Sequence, residues 1–180
     1  MAYRVIRQVL LLLILILGTS GLPLLASELS SSQRQEWLTS VAEAVDAEDL
    51  ASARERLAQY PDDPHHLSHS WRGRVSALDQ DWRQAADHFA QALAQEPSYR
   101  PAAEGRIQAL AMLEDWPGLR RMIGPWLAQA DSPATWWRAA AHAAWEDADA
   151  LMAEDTARRG LARYPDDLLL GRILVLPGDQ

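Results

Sequence analysis

The sequence predicts an all-α protein, a short solenoid of about four helix–turn–helix units behind an apolar leader. Two observations carry this. A Glu or Gln followed by Asp recurs at Glu48-Asp49, Gln80-Asp81, Glu114-Asp115 and Glu146-Asp147, at spacings of 32, 34 and 32 residues. The segment Ala53–Asp63, ARERLAQYPDD, is echoed by Ala157–Asp167, ARRGLARYPDD, 104 residues on and close to three such periods. A fixed period of about 20–50 residues marks a repeat array, in which each unit buries its apolar face only against its neighbours.

The leader comes first. Arg4 and Arg7 precede the unbroken apolar run Val9–Leu17, and Gly18, Ser20, Gly21, Pro23 and Ala26 come after it. A basic start, a short apolar core and small residues at its end describe an export signal covering 1–26. The alternative is a retained membrane anchor, since Val9–Ala26 is 18 residues long, near the lower limit for a span. On either reading the chain beyond about residue 27 crosses the membrane, because the arginines stay inside. The expected location is the periplasm or the outer face of the inner membrane. Residues 27–32 read as a linker, 33–166 as the array, and 167–180 as a terminal cap.

The unit at about 66–99 is the plainest. Trp82, Ala85, Ala86, Phe89, Ala92 and Leu93 share one face of a helix. Asp81 stands in the cap position with Gln84 three residues later, a capping box, and Pro97 ends the helix. Upstream, Leu67–Leu78 forms its partner. Gly73 within that partner costs about 1 kcal/mol relative to Ala, which close approach of two helices would explain.

Gly73, Asp81-Trp82, Ala85, Phe89, Ala92 and Pro97 resemble the tetratricopeptide repeat, a 34-residue helix–turn–helix unit. His69 and Ser76 depart from its usual aromatics. The unit at about 134–166 resembles it independently through Trp137, Ala141, Ala153 and Pro165, although Ala157 and Gly160 suggest looser packing. The unit at about 33–65 contributes Trp37, Ala53 and Leu57, and its second helix should stop early at Pro61 or Pro64. The unit at about 100–133 is the least regular: Pro117 suits a helix start, but Gly124-Pro125 should break or kink the helix before Trp126. The resemblance implies a right-handed solenoid with a concave face lined by the first helix of each pair, and protein–protein binding or assembly as its role. The final segment, Leu168–Leu176, is apolar except for Arg172. It either tucks back as a half repeat or serves as a surface for self-association.

Composition narrows the chemistry. There is no Cys, so no disulfide, thiolate metal site or Cys nucleophile. There is no Lys, so no Schiff base or Lys-dependent phosphate loop. All 25 acids lie at or beyond Glu28, so the part beyond the leader carries −10 against −8 for the whole chain. Nucleic acid is an unlikely partner for such a surface, and basic protein partners are favoured.

His65, His66 and His69 form HHxxH beside Asp62 and Asp63 and could ligate zinc or copper. The favoured reading is that they are polar residues of an exposed inter-repeat loop and helix start, with no metal. Helix geometry places Ser70, Arg74, Glu104, Gln108 and His142 on the concave face. Trp136 is left over after Trp137 is explained by the repeat, and should face that groove or solvent. No catalytic triad, phosphate loop or paired-carboxylate motif stands out, so no enzyme and no cofactor are expected. The expected function is an exported scaffold that binds a partner peptide or helix in its groove. The alternatives are a membrane-anchored assembly factor for a cytochrome, secretion or polysaccharide system, or a His-based metal-binding protein.

Overall fold

The computed structural model describes residues 29–175. The leader at 1–26 and the tail beyond 175 therefore lie outside the described residues. The described residues divide into two units, 29–36 and 37–175. The helix α1 (Ser31–Asp46) begins in the first unit, two residues ahead of the expected start of the array. All later elements belong to the second.

Every described element is a helix, and the helices come in pairs: α1 with α2 (Leu50–Ala58), α3 (His66–Leu78) with α4 (Trp82–Gln95), α5 (Arg100–Met112) with α6 (Trp116–Leu127), and α7 (Ala134–Glu146) with α8 (Ala150–Arg163), followed by the short α9 (Leu168–Ile173). Each of the last three pairs falls inside one expected unit. Successive pairs stack: α4 lies against both α3 and α5, α3 also meets α5, and α8 lies against α7 and α9.

One joint recurs four times. Glu48, Gln80, Glu114 and Ala148 hold φ of 58°, 62°, 55° and 56°. The next amide, on Asp49, Asp81, Asp115 and Asp149, donates to the carbonyl five residues back, on Ala44, Ser76, Leu110 and Ala144. That closes the first helix in a Schellman turn. The same Asp then caps the second helix, its carboxylate accepting from the amides of Ser52, Gln84, Gly118 and Met152 at 2.9–3.0 Å. The recurring acidic pair is thus a left-handed residue plus a cap. In the fourth unit the joint is Ala148-Asp149 rather than Glu146-Asp147, which makes the last spacing 34. Ala148 escapes notice in the sequence because the left-handed position asks for no polar side chain.

The expected capping box is half made. Gln84 turns away from the Asp81 amide, which the Ser76 carbonyl has taken, and accepts from the Ser76 hydroxyl at 2.9 Å. Ser76, placed where an aromatic was expected, is buried and satisfied by that bond. The second helix of the first unit does stop early, at Ala58.

The break at Gly124-Pro125 does not occur. α6 runs on to Leu127 with Pro125 inside it, and Trp126 is buried. Two features permit this. Gly124 has no Cβ to press on the proline ring, the clash that drives a pre-proline residue out of the helix. Pro125 also sits in the last turn, so only the Arg121 carbonyl loses its donor, at an exposed position.

Phe89 pins three helices. A Cβ at Gly73 of α3 would lie 2.8 Å from its ring, and one at Gly105 of α5 would overlap it. The close approach inferred for Gly73 is met, with a side chain rather than a backbone as the neighbour. From Phe89 a single apolar cluster runs to Ala143, through Ile107, Leu110, Leu119, Ile123 and Trp126. A second gathers Trp137, Ala141, Ala157 and Leu170. The fourth unit is not loosely packed: Gly160 is close-fitted against Leu170 and Trp137, at 2.7 and 3.1 Å from its Cβ position.

Candidate functional site

α3 and α5 are first helices of adjacent pairs, with α4 behind them. Their open faces bound a groove of about 820 Å³. Phe89 and Gly105 make its floor. α3 contributes Ser70, Trp71, Arg74 and Leu78, and α5 contributes Glu104, Gln108 and Met112, with Tyr99 and Pro101 entering from the loop and start of α5.

The spacing explains this lining. Ser70, Arg74 and Leu78 recur every four residues on α3, and Glu104, Gln108 and Met112 do so on α5, so each series forms one row. The floor can be deep because Gly105 has no side chain. Leu78 and Met112 are 48% and 55% exposed, an apolar rim without cover. The Arg74 guanidinium lies 5.0 Å from the centre of the Trp71 ring and has no ion pair among the described residues. Glu104 is partly neutralised by Arg100 at 3.2 Å, which also reaches Asp131 at 2.8 Å. The groove therefore offers apolar anchors, an aromatic face, one unpaired cation and the amide of Gln108. That set can hold an extended or helical segment.

Four of the six groove residues expected from the sequence, Ser70, Arg74, Glu104 and Gln108, come together here. Trp136 does not. It is 3% exposed, meets Trp126 edge to face at 5.4 Å and carries Arg100 over its ring at 5.0 Å. Adjacent helical residues point about 100° apart, and α7 is covered on both of those sides, so Trp136 enters one cluster and Trp137 the other. His142 is also outside the groove: it is exposed, edge-on to Trp116 at 5.4 Å and 3.4 Å from Glu146. Sequence reasoning missed Trp71, Leu78 and Met112. Continuing each row by one further turn would have found the last two.

The histidines do not converge on one point, although the His65 and His66 rings stack with centres 4.4 Å apart. His65 is the cap of α3, its Nδ1 accepting from the Leu67 amide at 3.3 Å. His66 lies edge-on to Tyr99 at 4.8 Å. His69 lies parallel to His88, with ring centres 6.4 Å apart. Asp63 is engaged by the Ser68 hydroxyl. Among the described residues there is no group of three or more His, Asp or Glu that could hold a metal ion. His69 and His88 are instead a half-buried pair whose Nδ1 atoms have no hydrogen-bond partner among the described residues. Burial pushes both imidazoles below their ordinary pKa, and the nearby Arg72 charge adds to this.

The terminal helix α9 packs against α8 and α7. Leu170 is fully buried against the second cluster. Asp167 caps α9 through the amides of Leu169 and Leu170, both at 3.1 Å, and pairs with Arg138 at 2.7 Å. Arg138 first, then those amides, holds its carboxyl below the usual range.

Comparison with known proteins bears on the fold. No family model matches the chain, and no curated protein matches it. Among solved structures it is similar to a chain in the crystal structure of the APC/C hetero-tetramer Cut9-Hcn1, at 17% identity and a TM-score of 0.60. The match covers 77% of this chain and 29% of that one. With that likeness, the stacked helix pairs and their repeated joint, the chain has a tetratricopeptide-like helical-repeat fold.

Proposed function

We propose that this chain is an exported, non-catalytic scaffold of the tetratricopeptide type that holds a segment of a partner protein in the α3–α5 groove. The observation that carries the reading is the groove itself: Trp71, Leu78 and Met112 are presented around a pinned floor, with Arg74 and Gln108 placed to fix a backbone or a polar side chain. Export rests on the leader at 1–26. The surplus of acids favours a basic partner, drawn in at a rate that falls with salt.

A photo-reactive residue at position 108 tests this in cells. The expected result is one dominant adduct, lost when Trp71→Ala and Met112→Ser are combined and absent when the probe sits at position 158 on α8. Adducts unchanged by the groove substitutions would overturn the reading. The anchored-assembly-factor reading differs in the fate of the leader. No helix of the described residues is long and apolar enough to cross a membrane, so that reading depends wholly on Val9–Ala26. Intact mass of the protein from cells separates the two, since loss of about 26 residues excludes an anchor.

A further inference from the structure

α9 takes the place of a fifth first helix. It lies against α8 and α7 as α5 lies against α4 and α3. Leu170 and the Asp167–Arg138 pair fasten it from behind. α5 has in addition a second helix of its own, α6; no described helix does this for α9. Its outer side is accordingly open, with Leu168 82% exposed, Val175 81% and Leu169 50%. Beside it runs a groove of about 700 Å³ that includes Leu161, Pro165 and Gly171. A Cβ at Gly171 would meet nothing within 4 Å, so a second backbone can come close there. A contiguous apolar face of this kind marks an association surface.

Charge indicates what covers it. The same groove carries Asp166 and Arg172, and neither is ion-paired with a described residue. Under a two-fold axis every contact of residue i with j is matched by j with i. One free acid and one free base on a single apolar patch are therefore complementary to the same patch turned over. A basic partner or an anionic membrane would satisfy only one of them. We propose that α9 forms a two-fold contact with α9 of a second copy of this chain. The crossing lies near Gly171, Leu168 of each copy packs against Val175 of the other, and Arg172 of each copy reaches toward Asp166 of the other. A contact this small belongs at the weak end of specific interfaces.

Sedimentation equilibrium of the full chain over a concentration series tests the proposal. The expected result is a reversible monomer–dimer equilibrium that stops at the dimer. Arg172→Asp and Asp166→Arg each weaken it by about tenfold or more, in line with like charges juxtaposed across an interface, and the two together restore it. Leu168→Ser with Val175→Ser abolishes it, while circular dichroism stays unchanged because these side chains are exposed. In a chain without Cys, Gly171→Cys gives a disulfide-linked dimer on mild oxidation, and Arg158→Cys on α8 does not. A monomer at all concentrations, an open series of higher oligomers, or a dimer indifferent to the charge exchange would each overturn the proposal.

Discussion

Glu48, Gln80, Glu114 and Ala148 carry side chains at a left-handed position that usually costs about 1–2 kcal/mol for a residue other than Gly. Ala148 has no polar group to offset that strain. Ala148→Gly is expected to stabilise the fold by about 1 kcal/mol or less, once the extra freedom of Gly in the unfolded chain is counted. Thermal unfolding should report a rise of about 2–4 °C. Gly105 is the opposite case. A methyl there meets Phe89, so Gly105→Ala should cost about 1–3 kcal/mol by overpacking, read as a lower midpoint in urea at unchanged slope. The His69–His88 pair sets a pH dependence. Both groups titrate lower in the folded than in the unfolded chain, so between those values the unfolded chain binds more protons and acid favours unfolding. Their contribution is whole above about pH 6.5 and is lost as the pH falls through the folded values. Joint substitution, His69→Gln with His88→Gln, should flatten the melting temperature between about pH 7 and 5; an unchanged slope would refute the assignment.

At the scale of the helix, the sequence signals that carried through were those with a local mechanism. Asp81 caps α4, Pro117 sits in the first turn of α6, and the apolar row of α4 is buried as its periodicity requires. What misled was a local rule outweighed by context. Gly124 relieves the clash that Pro125 would otherwise impose, and burial of Trp126 stabilises the continued helix. Gly160 looked like a gap because its neighbour in space, Leu170, belongs to the next helix along the chain. α9 itself shows how few bonds can hold a short helix. Asp167→Ala removes both its cap and the pair with Arg138, and should cost about 1–2 kcal/mol. The α9 amides would then exchange faster with solvent, while those of α4 and α5 keep their protection. Since the Asp167 carboxyl is held low, the same loosening should develop in the unsubstituted chain only as the pH falls below the ordinary carboxylate range.

Across the whole molecule, order should not be uniform. A repeat array is stabilised by neighbour contacts, so its ends open before its middle. The cluster around Phe89 joins α4 through α7, whereas the first pair buries Trp37, Leu38, Val41, Ala53 and Leu57 and has a second helix of nine residues. Hydrogen exchange is expected to be faster in α1 and α2 than in α4 and α5; equal protection would argue for a single cooperative block. At this scale the sequence disclosed the period and half of the groove. It could not disclose Trp71 as groove lining or Trp136 as core, because each depends on which side of a helix the next pair covers. The pinned ring of Phe89 belongs both to the groove floor and to the seam between two repeats. On the proposed function, a segment laid over it adds its binding free energy to the resistance of that seam against opening. The empty scaffold is then the shorter-lived one: it opens more often, so proteases remove it first, and its abundance follows the supply of its cargo.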